Sequence, residues 1–114
     1  MKRGARAYLS IAFFSSSVVV ISPLFATGPQ SASTQASSDR GAAIFRKSCS
    51  ACHSIRSGET KVGPSLYGVL REGSGHSEPA VRQAITDGKG TMPAFKEKLE
   101  PHEIDDLLQY LRTL

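Results

Sequence analysis

The sequence has only two cysteines, Cys49 and Cys52, and they lie three positions apart. This excludes a framework of disulfides, and one bridge between these two residues would close too short a loop to stabilise much of the chain. A convincing alternation of apolar and polar residues, which indicates a half-buried strand, is also lacking, and so is any internal repeat. Helical patterns remain, so we expect an all-α fold.

Over most of the chain, basic and acidic residues are almost equal in number. The formal net charge is +4, but three of the basic residues, Lys2, Arg3 and Arg6, lie at the very start. From Thr27 onward, 11 Lys and Arg residues stand against 10 Asp and Glu residues. Because there is no basic block and no interleaving of basic and aromatic residues, no nucleic-acid partner is expected.

The N-terminal residues are typical of a secretory signal. A largely apolar, uncharged run from Ala7 to Ala26 follows the basic start, and this is the order of an n-region and an h-region. We predict a signal peptide over residues 1–26 and a periplasmic or secreted protein. An uncleaved membrane anchor is the alternative, since about 20 apolar residues can span a bilayer. The helix-breaking Pro23 disfavours such a span.

Residues 27–38, TGPQSASTQASS, carry no charge and no periodicity, so we predict a flexible linker there. The folded domain is then residues 39–114. A core of this size rarely supplies enough stability alone. A bound metal or a large apolar cofactor would strengthen it.

The first helix is predicted to begin at Ser38 or Asp39, because either residue is a good N-cap. Gly41, Phe45 and Cys49 follow at intervals of four and therefore share one face. A glycine inside a helix costs about 1 kcal/mol relative to alanine. A close approach by another element would explain why it is tolerated.

Three further helical segments are predicted. A short one covers residues 65–71, the next is capped by Ser77 and ended by Gly88, and the last begins at Pro101. The apolar residues of the last helix have the spacing of one buried stripe; they are Ile104, Leu107, Leu108 and Leu111. The sequence thus predicts three to five short helices joined by long loops.

The chemistry is expected in the stretch KSCSACHSI, residues 47–55. On one helical turn, Cys49, Cys52 and His53 point to the same side. Cys-x-x-Cys-His is the attachment pattern of c-type haem. Each thiol can form a thioether with one vinyl group of the porphyrin, and the imidazole can bind the iron.

Three other uses of the cysteines stay open. A thioredoxin-like redox pair would expect a strand–helix context in a larger α/β domain. A zinc site would take both cysteines and two of His53, His76 and His102. The sequence has no second pair of ligands at the spacing of a zinc finger. A plain disulfide is the third.

A second axial ligand for an iron can come from Met92, the only methionine besides Met1. It lies in GKGTMPAF, where Pro93 holds it away from helical geometry and the glycines let the backbone approach a ligand closely. The alternative role for Met92 is to fill a gap in the core. His76 and His102 are expected on the solvated surface, and they become rival ligands only if Met92 is not one.

With these motifs the domain resembles a small class I cytochrome c over essentially all of residues 39–114. The resemblance rests on CSACH, on GPSLYG at residues 63–68, on TMP at residues 91–93 and on the last helix, LLQYLRTL. It implies a cytochrome c fold, with helices and long loops wrapped around one covalent haem c.

The resemblance also assigns roles to individual residues. It implies thioethers at Cys49 and Cys52, axial ligation of the iron by His53 and Met92, and a hydrogen bond from His53 Nδ1–H to the carbonyl of Pro64. It pairs residues of the first helix with one of the last helix as packing partners: Gly41 and Phe45 with Tyr110.

The implied function is that of a monohaem electron carrier, not an enzyme, which passes one electron between redox protein partners as a monomer. The residues expected to bury the haem ring are Leu66, Val69, Ile85, Phe95 and Leu107. One alternative is a haem sensor or peroxidase-like protein whose sixth iron position is free or loosely held by Met92. The other is a dedicated haem subunit of a periplasmic dehydrogenase or oxidase.

Overall fold

Three α-helices and one π-helical turn form the regular structure of residues 29–114, the part of the chain that the computed structural model describes. The helices are α1 (Pro29–Ile44), α2 (Glu78–Asp87) and α3 (Pro101–Leu111), and the π-turn (Phe45–Cys49) continues α1. Strand-like pairing within this range is limited to one isolated bridge. The all-α prediction is confirmed.

The predicted signal peptide, residues 1–26, lies outside the described residues, as do the first two residues of the predicted linker. Within residues 29–114, no helix combines the length and the apolar character that a membrane crossing requires.

Helix α1 begins earlier than the sequence predicts. The flexible linker predicted over residues 27–38 is wrong from Pro29 onward, because α1 starts at Pro29 and not at Ser38 or Asp39. Proline suits the first turn of a helix. Gln35 Nε2 donates a hydrogen bond to Asp39 Oδ1 one turn later, at 2.9 Å, and Ser38 is buried. Local pairs and packing against the domain therefore stabilise a helix that has no apolar periodicity.

The π-turn links α1 to the cysteine motif. Its wide turn is visible in the hydrogen bond from Ser50 N to the Phe45 carbonyl, five residues back, at 2.9 Å. Phe45 is buried in the core, and Cys49 packs against the same core from its edge. Single π-turns are frequent at functional sites, and this one joins a core residue to the predicted site.

The ends of α2 and α3 agree with the sequence prediction. Ser77 Oγ accepts a hydrogen bond from Ala80 N at 3.4 Å, and Gly88 ends α2 with a φ of 80°. Helix α3 starts at Pro101, and the Glu103 carboxylate accepts a hydrogen bond from Glu100 N at 2.9 Å, as in a capping box. The predicted stripe of α3 is buried at all four positions: Ile104, Leu107, Leu108 and Leu111.

The short helix predicted over residues 65–71 is wrong, since this segment is a series of turns. Its backbone hydrogen bonds span three residues, from Val69 N to Leu66 O and from Arg71 N to Gly68 O, at 3.2 and 3.0 Å. Gly68 has a φ of 67°, and a residue in the left-handed region interrupts a right-handed helix.

Helices α1 and α3 cross at Gly41. A Cβ at residue 41 would lie 2.0 Å from the Asp106 carbonyl oxygen and 2.8 Å from the Tyr110 Cβ, so the crossing has no room for a side chain. Beside it, the rings of Phe45 and Tyr110 meet with their centroids 5.9 Å apart. The close approach expected from the glycine is present, and these residues pack the two helices together.

The core lies between the three helices. Its buried members are Phe45, Ile85 and the four stripe residues of α3. Partly buried side chains from the loops pack around them, among them Cys49, Leu66, Val69, Met92 and Phe95. Because a fully buried leucine contributes roughly 2 kcal/mol, this cluster is the main stabilising element, and the motif cysteine and the loop methionine both rest on it.

Candidate functional site

The cysteine motif follows the π-turn directly and forms one further turn of backbone. The amides of Cys52 and His53 both donate to the carbonyl of Cys49, at 3.0 and 2.9 Å. Cys49 is half-buried and Cys52 is exposed, and both are free thiols. The structure thus brings the two thiols and the imidazole together on one turn, as their spacing predicts.

The state of Cys49 argues against a thiol redox pair. Burial raises the pKa of the Cys49 thiol to about 11, and the neighbouring Cys52 adds to the effect. Cys49 is therefore protonated at neutral pH. A thioredoxin-like pair depends on a lowered thiol pKa, so the environment of Cys49 is the opposite of what that chemistry needs.

The zinc alternative lacks its ligands. Among residues 29–114, no group of three or more His, Cys, Asp or Glu side chains is arranged to hold a metal ion. His76 and His102 are both exposed, as expected for solvated surface histidines.

His53 is held by the loop that follows the motif. Its Nδ1 lies 2.8 Å from the carbonyl oxygen of Pro64. Because a carbonyl can only accept, Nδ1 carries the hydrogen and donates it, and Nε2 keeps its lone pair for a ligand bond. Such a contact fixes the orientation of the imidazole and increases its donor strength.

Met92 lies in a tight turn after α2. The backbones of Lys89 and Met92 exchange two hydrogen bonds, of 3.1 and 3.0 Å, and Gly90 between them has a φ of 59°. Gly88 lies against this turn, since a Cβ there would be 2.6 Å from the Met92 carbonyl oxygen. The half-buried Met92 side chain packs against the core, a position compatible with an iron ligand and with a core filler.

Comparison with known proteins shows which family the chain belongs to. The family model described as "Cytochrome C oxidase, cbb3-type, subunit III" matches residues 36–111 of the chain. The chain belongs to the family of small class I c-type cytochromes.

Individual relatives agree with this. A cytochrome c-553-like protein of Synechocystis sp. is 40% identical over 76 residues, which are 67% of this chain and 68% of the relative. A cytochrome c6 of Nostoc sp. is 34% identical over 89 residues, 77% of this chain and 80% of the relative. A cytochrome c6 of Anabaena variabilis is 34% identical over 80 residues, 67% and 90% of the two chains. No solved structure matches this chain.

Membership of the family confirms the main expectations from the sequence. Class I c-type cytochromes carry covalently bound haem c and transfer single electrons, so the haem cofactor, the electron-carrier function and the absence of an enzymatic role hold for this cytochrome. The relatives do not favour a sensor, a peroxidase-like protein or a dedicated subunit of a larger enzyme.

The residues of this cytochrome fit a covalent haem. Two free thiols stand on the same turn as an imidazole whose Nε2 is left unengaged by the contact to Pro64. The side chains predicted to bury the ring belong to the core or pack against it: Ile85 and Leu107 are buried, and Leu66, Val69 and Phe95 are partly buried.

Three residues around His53 escaped the sequence prediction. Gly63 is part of the GPSLYG motif but had no role assigned, and a Cβ there would lie 2.9 Å from His53 Nδ1. Its position just before Pro64 is the signal that could have revealed it. Ser54, which follows His53, and Glu59 form a hydrogen bond. A serine and a glutamate in a loop give no such signal.

Proposed function

We propose that this cytochrome is exported and that His53 and Met92 hold the haem iron from its two sides, with thioethers at Cys49 and Cys52. It works as a monomer and passes one electron at a time between two protein partners. The haem, when bound, supplies the couple between ferric and ferrous iron. If His53 and Met92 both bind the iron, no coordination position is left for a substrate.

The observation that best supports this proposal is the 2.8 Å contact between His53 Nδ1 and the Pro64 carbonyl oxygen. It commits Nδ1 to donation and leaves Nε2 as the nitrogen that can bind iron. The acceptor also increases the donor strength of the ring towards a metal. An imidazole held in this way keeps one orientation in both oxidation states, so the site rearranges little when an electron moves.

Met92 is proposed as the second ligand because of its chemistry and its turn. The thioether is a soft ligand that favours ferrous iron and raises the reduction potential relative to two histidines. The paired hydrogen bonds between Lys89 and Met92 restrict the backbone that carries it. Besides Met1, the chain has no other thioether to compete.

The electron is proposed to enter and leave beside Cys52. Cys52 is exposed, whereas Cys49 is half-buried, so this side of the attachment turn faces solvent. Gly63 N donates to the Cys52 carbonyl at 2.8 Å, which brings the neighbouring Val62, 79% exposed, close to the same surface. Electron-transfer encounters between proteins are weak and bury little surface, so a small exposed area at this place is sufficient for one.

Export is proposed from residues 1–26, whose basic start and apolar run are those of a secretory signal. The cytochrome is then periplasmic or secreted. If the segment stays uncleaved, it is held at the membrane instead. Mass spectrometry of the purified protein separates the two cases, because cleavage at Ala26 removes a fixed mass.

The ferric absorption spectrum tests the ligation, after expression with a cytochrome maturation system. We expect the weak near-red band that methionine sulfur gives on ferric haem. In Met92→Ala we expect this band to disappear, the reduction potential to fall, and carbon monoxide to bind the ferrous protein.

His76→Ala and His102→Ala are the matched controls, since both histidines are exposed, and both variants should keep the band. A wild-type spectrum of haem without the band contradicts ligation by Met92. A protein that carries no haem after expression with the maturation system contradicts the whole proposal.

A further inference from the structure

Ser54, the residue after His53, is buried and fully engaged in hydrogen bonds. It is 4% exposed. Its hydroxyl donates to the Glu59 carboxylate and accepts from Arg56 N at 3.0 Å. Its carbonyl accepts from Leu66 N at 2.8 Å. A buried hydroxyl that lost its partner would carry the full cost of desolvation, so this arrangement strongly favours one conformation of the loop.

The bonds of Ser54 belong to a larger set that joins residues 50–54 to residues 59–66, which we name the clasp. Gly63 N donates to the Cys52 carbonyl at 2.8 Å, and Lys61 Nζ donates to the Ser50 carbonyl at 2.7 Å. Within the clasp, the bonds at Cys52 and Ser54 lie on either side of His53. The segment that carries Pro64 is thereby fastened to the motif turn before and after the histidine.

Glu59 is the exposed end of this arrangement. Its side chain is 41% exposed, and Arg56 Nε lies 4.0 Å from the same oxygen that Ser54 reaches. Solvent screens an ion pair of that kind, so the pair with Arg56 contributes little. The bond to the buried Ser54 hydroxyl is the more directional contact and the one that ties residue 59 to the motif.

We propose that Ser54 and Glu59 are positioning residues that act on the haem iron through His53. By closing the clasp they keep the Pro64 carbonyl in reach of His53 Nδ1, and this contact sets the orientation and the donor strength of the imidazole. The inference rests on the proposed function, because it needs His53 to be the axial ligand. Neither residue touches the haem in this role.

The test compares Ser54→Ala and Glu59→Ala with Ser57→Ala in the haem-loaded protein. Ser57 is an exposed serine of the same loop. Its substitution removes a hydroxyl, as Ser54→Ala does, but lies outside the clasp. Two NMR signals are recorded: the solvent exchange of the His53 Nδ1 hydrogen, and the spread of the haem methyl shifts in the ferric state, which reports the orientation of the axial ring.

We expect the exchange of the His53 Nδ1 hydrogen to be about tenfold faster in Ser54→Ala and Glu59→Ala, because one hydrogen bond of about 1.4 kcal/mol corresponds to that factor. The methyl shifts should change in both variants and stay as in wild type in Ser57→Ala. The methyl shifts are recorded on the folded protein, so they separate a change at the imidazole from a loss of global stability.

Two results would overturn the inference. One is exchange in both variants at the rate of Ser57→Ala; the other is haem methyl shifts in both variants that equal those of wild type, which would show loss of global stability alone. If Ser54→Ala does not mature, Glu59→Ala decides, because its side chain is partly exposed. A wild-type protein whose iron is not bound by His53 contradicts the proposed function and this inference with it, whereas ligation by His53 with an indifferent Ser54 and Glu59 contradicts this inference alone.

Discussion

Gly63 lies against the imidazole ring of His53: a Cβ at residue 63 would be 2.5 Å from Cε1 and 3.0 Å from Nε2 of that ring. Non-bonded carbon atoms are most stable at about 3.5–4.0 Å, so only glycine leaves the ring where it is. The next residue, Pro64, presents its carbonyl to Nδ1 at 2.8 Å. One residue makes room for the ring, and the other fixes its orientation.

Gly63→Ala should therefore displace His53 from the Pro64 carbonyl. We expect a weaker or shifted near-red band in the ferric spectrum and a loss of about 1–3 kcal/mol in the free energy of unfolding, as is usual for an overpacked site. Gly58→Ala is the control: Gly58 has a φ of 73° and no neighbour within 4 Å of a Cβ. It should cost about 1 kcal/mol from backbone strain and leave the spectrum unchanged. An unaltered spectrum in Gly63→Ala would contradict this account.

Gly41 sets the distance between α1 and α3, because a Cβ there would lie 2.0 Å from the Asp106 carbonyl oxygen. Gly41→Ala should lower the free energy of unfolding by about 1–3 kcal/mol, even though alanine favours a helix by about 1 kcal/mol. Denaturant unfolding measures the difference. Ala43→Ser, at an exposed position of the same helix, should cost only about 0.5 kcal/mol. A Gly41→Ala protein as stable as wild type would show that the helices can separate freely.

Arg40 and Asp106 join the same two helices beside that crossing. Arg40 Nε and Nη2 donate to the two carboxylate oxygens at 2.6 and 3.0 Å. These hydrogen bonds lower the pKa of Asp106 below its ordinary value of 3.8, although burial acts in the opposite direction. A carboxylate with a lowered pKa stabilises the fold above its unfolded pKa, and this contribution is lost as the pH falls through the folded value.

Asp106→Asn should therefore be less stable than wild type at pH 7, with the difference shrinking as the pH falls below about 4. Thermal unfolding between pH 7 and pH 2.5 measures it. Asp105→Asn is the control, since Asp105 lies next to Asp106 but its side chain is 61% exposed and pairs with Arg82. It should shift the midpoint less than Asp106→Asn at pH 7. A constant difference between Asp106→Asn and wild type across this range would exclude ionisation of Asp106 as the cause.

The elements that the sequence predicts well are those whose signals are local. Helix α3 combines Pro101 at its start with a periodic apolar stripe, and Ser77 and Gly88 delimit α2. The close approach at Gly41 was also predictable, because a glycine in a helix needs a reason. The early part of α1 has no stripe, and its helix depends on pairs and packing that only the folded domain supplies. The turns at residues 65–71 follow the left-handed φ of Gly68, which the path of the loop imposes.

The site divides in the same way. The residues that carry chemistry are readable because haem attachment requires two thiols and an imidazole at a fixed spacing. The residues that hold them cannot be predicted from the sequence, because their partners are distant in sequence or belong to residue types that carry no specific signal. Gly63 reaches His53 across ten positions, and Ser54 depends on a single carboxylate, that of Glu59. Only the folded loop shows these contacts.

The turn that carries Met92 offers a matched pair of glycines. Gly88 and Gly90 both have a positive φ, of 80° and 59°. A Cβ on Gly88 would lie 2.6 Å from the Met92 carbonyl oxygen, whereas a Cβ on Gly90 would have no neighbour within 4 Å. Both alanine variants carry backbone strain, of about 1–3 kcal/mol, since Gly88 (φ 80°, ψ 169°) and Gly90 (φ 59°) both adopt conformations that favour glycine, but only Gly88→Ala pushes the backbone of Met92.

We therefore expect Gly88→Ala to weaken the near-red band of the ferric protein and to let carbon monoxide bind the ferrous protein, because a displaced thioether leaves the iron exposed. Gly90→Ala should keep the band and exclude carbon monoxide while losing a similar amount of stability to backbone strain. Spectra and unfolding curves of the two variants separate strain from displacement. If both lose the band equally, strain in the turn is sufficient, and the contact between Gly88 and Met92 has no separate role in holding the ligand.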